Sequence, residues 1–167
     1  MAVTFSQKEM KLLEDQKNHE QICIAKYTNY AAQAKDGQLK QIFDANAQSE
    51  REHLSSINQL ISGQVPQMNQ GKGASQASGS QASAAMNNTP TAGMKNAQAG
   101  AGMVSDKDMC TDMLMTEKYV SGAYDTSIFE FQNTNVRDVL SHIQKEEQKH
   151  GEAISQYMQK QGLYTVQ

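Results

Sequence analysis

Tryptophan is absent from this 167-residue chain and aromatic residues make up only 6% of it, so a core must rest on aliphatic, methionine and a few tyrosine side chains. Cysteine occurs twice, as Cys23 and Cys110, too few for a disulfide framework or a four-cysteine metal ribbon. The net charge of -3 leaves no basic patch for a phosphate backbone, which argues against nucleic acid as a partner. No apolar run is long enough to cross a bilayer, and the first ten residues lack the apolar stretch of a signal peptide. The expectation is a soluble chain made in the cytoplasm, with no membrane partner and no export by a classical signal. The length allows one domain or two small ones, with a core that needs no covalent staples.

A further absence divides the chain. Residues 62–103 contain no Leu, Ile, Phe or Tyr, and their only charges are Lys72 and Lys95. Such a segment buries too little apolar surface to offset its ordering entropy, so it predicts a flexible linker. A coil of this length spans roughly 35 Å, enough to return along a helix of about 25 residues.

Helical signals fill the flanks. Ser6-Gln-Lys-Glu9 is a capping-box pattern, and Ser105-Asp-Lys-Asp108 opens a helix in the same way. The inward positions of the four helices read Leu13, Gln16, Glu20, Cys23, Tyr27, Tyr30 and Ala34; Leu39, Phe43, Asn46, Glu50, His53, Ile57 and Leu60; Cys110, Met113, Glu117, Val120, Tyr124, Ile128 and Phe131; and Val136, Val139, Ile143, Glu147, His150, Ile154 and Tyr157. Asp36-Gly37 and Gln132-Asn-Thr-Asn135 turn the chain between members of each pair. The sequence thus predicts an all-α, ferritin-like four-helix bundle made of two repeated helical hairpins, residues 1–62 and 105–167, joined by a long flexible crossover linker, residues 63–104. The same seams would also serve a homodimer that exchanges hairpins.

The polar residues in those seams repeat. Glu50 and His53 form a Glu-x-x-His pair, and Glu147 and His150 form another 97 residues later. Glu20 and Glu117 each lie 30 residues before their pair and are each followed seven residues on by a tyrosine, Tyr27 or Tyr124. Each glutamate before a turn is level with the one after it, so four carboxylates and two imidazoles should meet at mid-height. Burying several unpaired ionised groups costs several kcal/mol each, which demands compensation. Two divalent cations, Fe or Mn, would neutralise the four carboxylates, and Glu20, Glu50, His53, Glu117, Glu147 and His150 match the ligand set of dimetal carboxylate bundles. A metal-free, hydrogen-bonded Glu and His cluster is the alternative. The tyrosines read as core residues with bonded hydroxyls, His19 and His142 as solvated, Met109, Met113 and Met115 as packing, and the cysteines as buried free thiols.

Within residues 105–164, the segments Thr116-Glu-Lys-Tyr119, Ser127-Ile-Phe-Glu-Phe131 and His142-Ile-Gln-Lys-Glu-Glu-Gln-Lys-His-Gly151 resemble the coat F family of bacterial spore coat proteins. The first hairpin resembles a diverged second copy. The resemblance implies a ferritin-like fold, sporulation as the setting, mother-cell synthesis, a place in or beneath the spore coat and other coat proteins as partners, without implying an activity. Within the wider ferritin-like group it also assigns the same six residues to metal. Rubrerythrin-like peroxidases differ: they carry a further glutamate where this chain has Val120, and a four-cysteine module that two cysteines cannot build. Three functional expectations follow: a structural coat protein with a dimetal bundle, a catalase- or ferroxidase-like oxidoreductase protecting the spore, or metal binding that stabilises the fold without turnover.

Overall fold

The computed structural model describes residues 2–67 and 104–164, so the expected linker lies outside the described residues except at its ends. Four helices carry the described chain: α1 (Gln7–Gln33), α2 (Gly37–Ile61), α3 (Asp106–Glu130) and α4 (Thr134–Lys160), with no strand among the described residues. Each start is capped by a side-chain oxygen. Ser6 accepts from the Glu9 N–H in a full capping box, and Ser105 accepts from the Asp108 N–H. Asp36 and Asn133 each accept from two N–H groups of the following turn. Such caps satisfy donors that a helix start leaves open.

Three residues join α1 to α2 and three join α3 to α4, which forces each pair into an antiparallel hairpin. The hairpins meet through α1 against α3 and α2 against α4. Each turn is held by the start of the other hairpin. The Gln132 N–H donates to Glu9 Oε1 (3.2 Å), while the N–H groups of Lys35 and Asp36 donate to the two carboxylate oxygens of Asp106 (3.0 and 3.1 Å). These clamps, with Lys26 against Asp112 at 2.8 Å, fix α1 and α3 as antiparallel.

The apolar core occupies both ends of the bundle. Leu13, Leu39, Phe43, Ile57, Leu60, Met109, Met113, Leu140, Ile143 and Ile154 are fully buried, each contributing on the order of 1.5–3 kcal/mol by leaving water. Three seam positions differ from expectation. In α1 the buried row passes from Tyr27 to Ala31, leaving Tyr30 and Ala34 half-buried, because a four-residue step follows the 3.6-residue turn better there. In α3 Ser127 is buried and Ile128 half-buried: the Ser127 hydroxyl donates to the Ala123 carbonyl and accepts from Gln16 Nε2 (2.8 Å). Met115 is 60% exposed and packs against no core.

The helix lengths account for a mismatch in the repeat. Caps Ser6 and Ser105 lie 99 residues apart while the Glu-x-x-His pairs lie 97 apart. The two additional residues sit in α1 before Glu20, and α1 has 27 residues against 25 for α3. The difference is absorbed at a helix start, away from the repeated glutamates.

Glu9 accepts from both the Ser6 N–H and the Ser6 hydroxyl at 2.8 Å while it also holds the opposite turn. Asp108, its counterpart, accepts only from Ser105. Glu9→Ala is expected to destabilise the bundle by about 1–2 kcal/mol and Asp108→Ala by less, ranked by urea unfolding.

Candidate metal centre

All six residues singled out by the repeat meet inside the bundle. Glu20, Glu50, Glu117 and Glu147 are 0–2% exposed, and His53 and His150 are each 5% exposed. The turns place them there, since helices that run back from a short turn bring equidistant residues level.

The carboxylate oxygens divide between two foci. Around His53 Nδ1 lie Glu50 Oε2 and Glu147 Oε1, both at 3.1 Å, and Glu20 Oε2 at 3.6 Å. Around His150 Nδ1 lie Glu50 Oε1 at 3.2 Å, Glu147 Oε2 at 3.6 Å and Glu117 Oε1 at 3.7 Å. Glu50 and Glu147 therefore turn one oxygen to each focus, whereas Glu20 and Glu117 each serve one. Within either group of four residues the converging atoms lie within 4.8 Å of one another. Atoms that share one cation at about 2.0–2.3 Å are at most about 4.5 Å apart, so the foci are close to coordination size. The two imidazole rings stack at 5.6 Å with 24° between planes.

Hydrogen bonding leaves this centre incomplete. His53 Nδ1 and Glu50 Oε2 form a hydrogen bond at 3.1 Å, but Glu20 Oε2, Glu50 Oε1, Glu117 Oε2, both oxygens of Glu147 and His150 Nδ1 are buried without a hydrogen-bond partner. Buried polar atoms are rarely left this way, and five of these six, all but Glu117 Oε2, lie at one of the two foci. Each oxygen-rich group with its one imidazole could hold a metal ion.

Protonation describes what the cluster must do without a cation. Burial, with the carboxylates nearby, raises Glu20 to about 8 and Glu117 to about 11. Burial also opposes ionisation of Glu50 and Glu147, but their contacts with His150 and His53 outweigh it and hold both low. Burial would lower the histidines; the facing carboxylates reverse that and lift His53 to about 12 and His150 to about 9. At neutral pH two glutamates keep protons, two are ionised and both histidines are charged, a neutral cluster. Two divalent cations could replace those four protons without changing the net charge.

The tyrosines close the site from the opposite hairpin. The Tyr27 hydroxyl donates to Glu117 Oε1, and the Tyr124 hydroxyl donates to Glu20 Oε1. Both hydroxyls are bonded, as the sequence implied, but their partners were not legible. Each tyrosine sits two turns beyond its own helix's glutamate, and the antiparallel crossing of α1 and α3 delivers it to the other one. Asn46 Nδ2 donates to the Tyr27 hydroxyl at 3.1 Å, and Ser49 Oγ lies 3.4 Å from His53 Nε2. His19 is half-buried instead of solvated, 3.2 Å from Gln16 Oε1 and edge-on to Tyr119, and His142 is exposed. Cys23 and Cys110 are buried free thiols, and burial raises both, Cys110 to about 12, which keeps them protonated.

For the metal-free protein the raised groups set the sign of the pH dependence. The fold retains protons on Glu20 up to about 8 and on His150 up to about 9, which the unfolded chain releases at ordinary values. Stability is therefore expected to fall as pH rises from about 5 to about 9. Thermal melts of chelator-treated protein check this, and Glu20→Gln, which cannot titrate, should make the decline shallower.

Comparison with known protein families matches the Coat F domain over residues 105–167, a stretch that includes α3, its turn and α4. No curated protein and no solved structure matches the chain. No helix among the described residues is long and apolar enough to cross a membrane. The matched segment contains three of the six cluster residues, Glu117, Glu147 and His150. The second hairpin, residues 105–167, is thus similar to the Coat F domain.

Proposed function

We propose that this chain is a structural component of the spore coat, a ferritin-like brick whose bundle is locked by two Fe or Mn ions. The observation that carries the metal reading is the division of the Glu50 and Glu147 oxygens between two imidazoles. Those glutamates would bridge the ions, Glu20 and His53 would complete one site, and Glu117 and His150 the other. The family match supports the coat location, with mother-cell synthesis and other coat proteins as partners. Residues 63–104 are read as a linker between hairpins of one bundle.

Bound metal supplies charge neutralisation and cross-linking. Each ion would tie α1 or α3 to both α2 and α4, so the two hairpins could not separate without losing ligands. Anything that binds only the folded state stabilises it by mass action, and a pair of cations held by six protein ligands acts in this way.

Protein purified without chelator is expected to contain about two equivalents of Fe or Mn, the charge equivalent of four carboxylates. The doubly substituted Glu50→Ala, Glu147→Ala protein should contain none, and elemental analysis decides. A folded, metal-free wild type that also refuses added Fe and Mn would sink the site. Chelation should lower the melting temperature of the loaded protein by about ten degrees or more, and re-metallation should restore it. Peroxide consumption by the loaded protein would instead favour a catalase- or ferroxidase-like oxidoreductase, for which the same ligand set would serve.

A further inference from the structure

The two hairpins supply matching ligands but differently shaped surroundings. Between α3 and α4 the structure holds a cleft of about 450 Å³ whose walls include Ser121, Gly151 and Glu152 and which reaches Glu117 and Glu147. Those two carboxylates are otherwise buried, and three of their oxygens have no hydrogen-bond partner. At the corresponding positions of the first hairpin, 97 residues earlier, Gly151 is replaced by Leu54 and Ser121 by Ile24, both half-buried.

Gly151 has no packing reason to be glycine. A β-carbon there would lie 3.6 Å from Leu114 Cδ1 and 3.8 Å from Glu117 Cβ, which are ordinary contacts, and its backbone is helical. A helix interior favours alanine over glycine, so what the missing side chain provides is space beside Glu117. The wall is acidic: Glu117, Glu147 and exposed Glu152 face a single Lys118. Two cavities between α1 and α3, of about 580 and 320 Å³, are lined by none of the six repeated residues.

We infer that the α3–α4 cleft is the loading path by which a divalent cation reaches the buried carboxylates, and that Gly151 and Ser121 keep it open. This rests on the dimetal reading above and adds the route. Glu152 at the outer wall draws the cation in, and Glu117 and Glu147 receive it. The leucine and isoleucine of the first hairpin leave the second hairpin as the entry side.

The test uses the full-length chain stripped of metal and mixed with cobalt(II), whose visible absorption reports binding, followed by removal with excess chelator. Gly151→Leu, copying the first hairpin, is expected to slow uptake and release together by roughly tenfold while the final stoichiometry is unchanged. Ser121→Ile plugs the cleft from the opposite wall and should do the same, which decides the matter if Gly151→Leu fails to fold. Gly122→Leu, whose added β-carbon meets nothing within 4 Å and which lines a cavity between α1 and α3, should load at the wild-type rate. A folded plug variant that loads as fast as wild type overturns the route, as does equal slowing by Gly122→Leu. Wild-type protein that takes up no cobalt at all overturns the metal site itself, and the route with it, before any variant is compared.

Discussion

Four carboxylates and two imidazoles placed at the waist of a four-helix bundle are the constraint on which the rest of this structure depends. Apolar side chains fill the two ends, but the middle is polar and almost completely removed from water. Four protons would make it neutral, and so would the two divalent cations proposed above, which would also give the unpartnered atoms a partner. A hydrogen-bonded cluster would align its oxygens with donors, whereas these oxygens lie short distances from each imidazole without that alignment.

The antiparallel crossing of α1 with α3 makes the site a property of the whole bundle. Neither hairpin contains a finished half. Glu20 and Glu117 each take a tyrosine hydroxyl from the other hairpin, and each turn is clamped by a carboxylate at the other hairpin's helix start. Polar contacts between hairpins thus lie at both ends and in the centre, which fixes the axial register as well as the association. A one-turn slip of α1 along α3, about 5.4 Å, would break the tyrosine bonds and both clamps together. Leucine and methionine packing alone would resist such a slip weakly, since apolar contact is not directional.

Much of this was legible in the sequence because it depends on period and spacing. The Glu-x-x-His pairs, their upstream glutamates and the short turns specify which residues share a level, and the structure brings those six residues together. What was not legible depends on three-dimensional crossing. Tyr27 could be read as buried with a bonded hydroxyl, yet Glu117 lies 90 residues away and becomes its partner only through the direction of α3 against α1. Hydrophobicity, the usual guide to a seam, favours Ile128, but the Ser127 hydroxyl, matched by Gln16, takes the inward place. Met115 shows the reverse error, an apolar residue that the helix turns to solvent. His19 lies off the seam, where solvent is expected, but the neighbouring Tyr119 of α3 covers one side of it.

The internal repeat separates what the centre demands from what each hairpin adds. At the six cluster positions the halves agree, because each focus draws oxygens from three glutamates and losing one would leave buried charge uncompensated. One step away the halves diverge. Asn46, which donates to Tyr27, corresponds to Ile143, so only one of the two tyrosine hydroxyls receives an amide donor. Leu54 corresponds to Gly151, so only one flank carries a side chain at that position. Charge neutrality imposes symmetry on the cluster and nothing beyond it. A bundle with two equivalent foci can therefore carry isoleucine and leucine on one flank and, on the other, the serine and glycine of the cleft proposed as the way to its interior.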